Sequence, residues 1–249
     1  MGTKYFRNFG LKSYRFGNNE SPVLFNDLSQ YVDVIDGIKD SISFSTKHTI
    51  IAGDRPDTLS FKLYGTTDYY WTFFLMNDHI RESGWPIDQP HLFDEMKSRY
   101  PHRTVTSNSV LASDFTVGTT VTGSVSGTVG TILKRDLDMG QLVIETVNDE
   151  TFTSDESIQY TATDGAFYTA QLVAESAQYN AVHHYEDADG VHIDLPLYDF
   201  LNAPSDAIAV TYRNRVEDRN DELKQIAVLK QSVIERVVTE FNNFHKQVT

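Results

Sequence analysis

The chain has 249 residues, with 21 Lys and Arg against 35 Asp and Glu, a net charge of -14, 40% hydrophobic and 12% aromatic residues, and no cysteine. That length allows one or two domains with a real core, and the acidity, with no basic stripe, argues against nucleic acid and for solubility or a basic protein partner. Disulfides and thiolate metal sites are excluded, no apolar run reaches the roughly 20 residues that cross a bilayer, and the opening MGTKYFRNFG lacks a signal-peptide apolar region, so the chain is expected to be neither exported nor membrane-anchored.

Residues 1–47 read as an N-terminal arm and helix. Tyr5, Phe6, Phe9, Tyr14 and Phe16 are a dense aromatic set, read as a strand or arm on its own domain or as an arm packed on a neighbour. Leu28, Tyr31, Val32 and Ile35 have helical spacing. Residues 49–52 read as a short strand. Gly53-Asp54-Arg55-Pro56 then turns the chain, and Pro56 keeps Arg55 out of the helical region. Asp57 or Thr58 can cap a helix over 59–64, which Gly65 stops with a left-handed cap. Thr66 or Thr67 can cap a second helix carrying Tyr69, Tyr70, Trp71, Phe73, Phe74, Leu75 and Met76. Apolar on nearly every side, it is expected to be buried. Trp85-Pro86 reads as a turn or extended pair, and Pro90 can open a helix with Leu92, Phe93, Met96 and Tyr100 on one side.

From about 104 to 178 the composition turns to Thr, Ser, Val and Gly. Turn signals at Ser126-Gly127 and Asp138-Met139-Gly140 separate short strand candidates near Val121, at 129–133, 142–144 and 167–174. This spacing indicates a small β-barrel or sandwich. Residues 179–249 hold Tyr179 to Gly190, a Pro-broken stretch with Pro196 and Pro204, an acidic helix start at Asn220-Asp221-Glu222, and one long amphipathic helix carrying apolar residues from Leu223 to Phe244, with a possible break at Lys230.

The order strand, Gly-Asp turn, short helix, Tyr-Gly, buried helix, Asn resembles a LysM domain. Gly53, Asp54, Arg55, Pro56, Asp57, Lys62, Leu63, Tyr64, Gly65, Trp71, Asn77, Trp85 and Pro86 together resemble the LysM-like wedge subunit in the baseplate of T-even-like contractile-tail phages. The resemblance implies an α+β fold. It would have a LysM-like βααβ core over 48–103 with flanking helices, an inserted all-β domain over 104–178 that the resemblance does not cover, and a C-terminal segment over 179–249. It further implies a non-enzymatic virion component, assembled in the host cytoplasm and present in multiple copies in a six-fold ring. Its partners would be other wedge subunits and a small sheath-initiating baseplate protein, with no cofactor, nucleic acid or membrane. Candidate contact residues are Tyr5, Phe6, Phe9, His183, His184, Tyr185, Ile234 and Phe241.

Three chemical readings compete with this one. His183 and His184 with Glu186, Asp187 and Asp189 have metal-ligand chemistry. Adjacent strand residues point to opposite faces, however, so the two imidazoles are not expected to share an ion, and Asp187-x-Asp189-Gly190 lacks the later glutamate of a calcium loop. Nucleophilic catalysis has no cysteine and no G-x-S-x-G elbow. Tyr69-Tyr70-Trp71 could form a sugar platform, as in glycan-binding LysM modules, but that needs exposed rings and the helix pattern argues for burial.

Overall fold

A computed structural model describes residues 11–15, 17, 21–26, 43–107, 111, 115–193 and 207–248. Tyr5, Phe6, Phe9, Phe16, the expected helix around Leu28 and Ile35, Pro196 and Pro204 lie outside the described residues. The elements in chain order are β1 (Leu11–Tyr14), β2 (Val23–Asn26), β3 (Ser45–Thr49), α1 (Pro56–Tyr64), α2 (Trp71–Met76), α3 (Asp78–Ser83), α4 (Gln89–Arg99), β4 (Arg103–Ser107), β5 (Thr120–Gly123), β6 (Val129–Asp136), β7 (Gln141–Thr146), β8 (Ser157–Thr161), β9 (Phe167–Ala177), β10 (Val182–Glu186), β11 (His192–Ile193), β12 (Ile208–Thr211), α5 (Tyr212–Leu223), β13 (Gln225–Leu229) and α6 (Ile234–Val248). The fold is α+β. The chain divides into two units, residues 1–89 with 219–249, and residues 90–218. β1 and β2 form an antiparallel hairpin.

In the first unit β3 pairs antiparallel with β13, from Thr49 opposite Gln225 to Ser45 opposite Leu229. β13 uses both faces, as strand alternation allows. Ile226 and Val228 join Ile50, Leu59, Phe73, Ile80 and Leu223 in one buried cluster, with Trp85 packed against it. Leu229 joins Trp71, Leu75, Met76, Ile234, Val237, Val238 and Phe241 in another. α2 contributes to both, Phe73 to the first and Trp71, Leu75 and Met76 to the second, which is why its sequence is apolar almost all round. On α6 the buried set Ile234, Val237, Val238 and Phe241 has i, i+3, i+4, i+7 spacing.

Several boundaries differ from the sequence expectation. The first strand is Ser45–Thr49 and not 49–52, because Ile51 and Ala52 already belong to the turn before Gly53. α1 starts at Pro56, which takes the first helical position that its missing N–H suits. Arg55, not Asp57 or Thr58, is the N-cap, and its backbone N–H donates to Thr58 Oγ1 at 3.0 Å. α2 starts only at Trp71. The preceding turn is held by buried Ser60, whose hydroxyl donates to the Thr66 carbonyl and accepts the Tyr69 N–H. The single C-terminal helix from Leu223 is corrected: Leu223 ends α5, Ile226 and Ala227 lie in β13, and a new helix begins at Ile234 after a break at Lys230. Asn220-Asp221-Glu222 closes α5 and does not start it. The start is at Tyr212, where Asn214 N–H donates to Thr211 Oγ1 and Asn214 Oδ1 accepts the Thr211 N–H.

In the second unit, six antiparallel strands close into a barrel in the order β4-β7-β6-β5-β8-β9, with β9 returning to β4. Its interior holds Val105, Phe115, Val121, Ile132, Leu142 and Ile144 among other buried side chains. The barrel alternative is therefore the one realised over the Thr/Ser/Val/Gly stretch, with β4 and β8 added to the strands anticipated there. Gly130 lies against Ile144 Cγ2 and the Glu145 carbonyl so closely that a Cβ would have no room. The same unit contains α4, where Leu92 and Met96 are buried as their spacing suggested, and a three-stranded sheet in the order β11-β10-β12.

Candidate functional site

The motif residues of the first unit form one bonded set. Gly53 takes a positive φ of 85°, and the Asp54 N–H closes the turn on the Ile51 carbonyl. The nearly buried Asp54 carboxylate accepts Lys62 Nζ at 2.5 Å, and its backbone carbonyl accepts the Trp85 indole N–H at 2.6 Å. Pro86 is buried beside Trp85. Gly65, at φ 73°, donates its N–H to Phe61 and ends α1. Tyr64 donates its hydroxyl to the Leu229 carbonyl at 2.9 Å; burial raises its pKa, an effect the backbone bond only partly offsets. Asn77, buried, donates Nδ2–H to the carbonyls of Phe73 and Ala227 and accepts the Ala227 N–H at 2.7 Å. These side chains fasten both helices to β13, and the turn to α1 and Trp85. What they can do chemically is hold a shape.

Of the aromatic run, Trp71 is buried against Phe241, with ring centroids 4.8 Å apart, and Tyr69 is half-buried. Tyr70 is 38% exposed, and Phe61 on α1 is 60% exposed. Ile234 and Phe241, expected as partner contacts, are each 2% exposed inside this chain's own core. That expectation is corrected: the α6 stripe is consumed by β13 and α2. Tyr185 is likewise buried.

His183 and His184 are brought together, contrary to the strand argument. The β10–β12 ladder has a register shift between Val182 and His184, a bulge that turns both rings to one side. Their Nδ1 atoms lie 2.9 Å apart. His184 Nε2 is 2.8 Å from Glu186 Oε1, and Arg215 Nη1 is 2.6 Å from His183 Nε2. The Tyr212 ring stands edge-on to His183 and the His192 ring edge-on to His184. His183 has a lowered pKa, first through burial, then through Arg215, His184 and Lys134, with Asp136 opposing them. Arg215 and His192 went unnoticed in the sequence; no local pattern links Arg215, 32 positions away, to His183. Asp187 accepts the N–H groups of Asp189 and Val191, so the calcium-loop fragment is an Asx turn closing the β10–β11 hairpin. Among the described residues no three His, Asp or Glu side chains are arranged to hold a metal ion, and no helix is long and apolar enough to cross a membrane.

No protein-family model, curated protein or solved structure matches the chain.

Proposed function

We propose that the protein is a non-enzymatic structural subunit of a contractile phage tail baseplate, a wedge component that joins neighbouring wedges through protein contacts. One observation carries this reading. β3, α1, α2 and β13 form a strand–helix–helix–strand unit, and the motif residues that resemble the wedge family, Asp54, Tyr64, Asn77 and Trp85, are the ones that bind it together. In this reading the unit is the LysM-like core and the barrel is an insertion into it. The implied partners are other wedge subunits and a sheath-initiating small protein. Of the contact set, Tyr5, Phe6 and Phe9 are retained from the sequence, together with His183 and His184. The test is a cryo-electron map of purified contractile tails from cells producing the protein. Density for the chain in six-fold positions at the tail end is expected, and its absence from the particles would overturn the reading.

A second reading, a peptidoglycan- or chitin-binding module, draws on the exposure of Tyr70 and Phe61. The structural reading expects no sedimentation with either polymer. Binding that is lost in Tyr70→Ala, with the circular dichroism spectrum intact, would favour the glycan module instead.

A further inference from the structure

The side chains between Arg215 and Glu186 can be joined in only one proton order. A guanidinium only donates and a carboxylate only accepts. Arg215 Nη1–H therefore donates to His183 Nε2, His183 Nδ1–H donates to His184 Nδ1, and His184 Nε2–H donates to Glu186 Oε1. Both imidazoles must be neutral, in opposite tautomers. A further proton has no place in the closed chain. On His183 it would sit at Nε2 against the guanidinium, and on His184 at Nδ1 against the His183 N–H.

We propose that Arg215, His183, His184 and Glu186 form an acid-sensitive latch, in which proton uptake by the imidazole pair releases the first turn of α5 from β10. The latch spans 32 positions of sequence and joins two elements that are otherwise linked through β12, the strand running directly into α5, and through the Tyr212 N–H on the Ala181 carbonyl. The charged and titratable groups around it come from each packed element. Arg215 and Tyr212 face His183 from α5. Lys134 and Asp136 on β6 act on His183 in opposite senses. Glu186 on β10 lies 2.8 Å from His184 Nε2, and His192 on β11 stands against the His184 ring. β12 places Val210 opposite His184 and brings no charge. Burial and Arg215 together favour the neutral His183. His183 therefore keeps its neutral form to lower pH than an ordinary histidine, and the proton it then takes opens the latch. Because each ring's tautomer depends on the other's, a proton on either ring breaks the whole chain of bonds.

The experiment is a pH titration of the full chain followed by ring-nitrogen and backbone-amide NMR. At pH 8 His183 should carry its proton on Nδ1 and His184 on Nε2. On acidification this tautomer pattern should be lost as His183 takes a proton, below the ordinary histidine range, with amide shifts at 212–216 moving in that step. In Arg215→Gln, which can still donate to His183 without a charge, the midpoint should rise by about one pH unit. In His183→Gln, which can accept from Arg215 and donate to His184 but takes no proton, the movement at 212–216 in that step should be lost. A His183 step at or above the ordinary histidine value, amides at 212–216 that do not follow it, the same tautomer on both rings, or an Arg215→Gln midpoint equal to that of the parent would each overturn the proposal.

Discussion

Asn77 and Asn220 each stand in for a missing stretch of backbone. Asn77 pairs with both the N–H and the carbonyl of Ala227, as a neighbouring strand residue would, and Asn220 pairs in the same way with Ile87. Asn77→Ala leaves buried backbone groups without partners and should cost about 1–3 kcal/mol in urea unfolding. Asn77→Asp should be no better, since a carboxylate keeps the Ala227 N–H but faces two carbonyls with no proton to give. In the barrel, buried Glu156 accepts the Val125, Ser126 and Thr153 N–H groups and the Ser126 hydroxyl. A Cβ on Gly123 would run into the Ser126 hydroxyl and both Glu156 oxygens, so this loop depends on a glycine there. Burial alone would raise the Glu156 pKa, but the Ser126, Val125 and Thr153 bonds outweigh it and hold the carboxyl below its usual range. The sign follows: unfolding raises proton affinity, so this contribution is complete above the ordinary glutamate pKa of about 4.3 and is lost as pH falls below it. Melting temperatures measured between about pH 3 and 6 should fall with acid in the parent chain. They should fall less steeply in Glu156→Gln, which begins from a lower value.

At the level of elements, β13 and α6 belong to the core of the first unit. Truncation after Arg219 removes Leu223, Ile226, Val228, Leu229 and the buried face of α6. At roughly 1.5–3 kcal/mol for each buried side chain, the loss is as large as the ~5–15 kcal/mol that holds a domain folded, or larger. The truncated chain should lose hydrogen-exchange protection over residues 45–85 and keep it in the barrel strands. Phe241→Ala alone, which strips the partner from Trp71, should cost about 3–5 kcal/mol. The sequence showed the turn at Gly53, the cap at Gly65, the buried character of α2 and the strand-rich stretch, because each rests on local chemistry: glycine conformation, proline, or side-chain period. It did not show β13. Leu223, Ile226 and Ala227 fit a helix by spacing, and Ile226, Val228 and Leu229 fit a strand equally well; pairing with β3, far away in sequence, decides between them. Non-local contact also hid the histidine latch, since a bulge reverses the side-chain alternation that the strand rule assumes.

For the whole molecule, the barrel has closely placed ends. Arg103 opens β4, Ala177 closes β9, and the two are register partners, so their Cα atoms lie about 5 Å apart. A half-buried ion pair between Arg103 and Glu175 sits at this neck, with the Arg103 Nε 2.6 Å from a Glu175 carboxylate oxygen. Replacing residues 104–176 with a short Gly/Ser turn should therefore leave the first unit folded, with Trp71 still shielded in fluorescence quenching. Loss of soluble protein would show that the first unit needs the barrel. The pairing of β3 with β13 has a further consequence during synthesis. Thr49 and Gln225 are 176 positions apart. At 5–20 residues per second, the ribosome leaves β3 without its partner for roughly 9–35 s, by the end of which every barrel strand has been made. The barrel, whose contacts are complete within one continuous segment, can form on the nascent chain. The strand–helix–helix unit, although it begins first, must finish last.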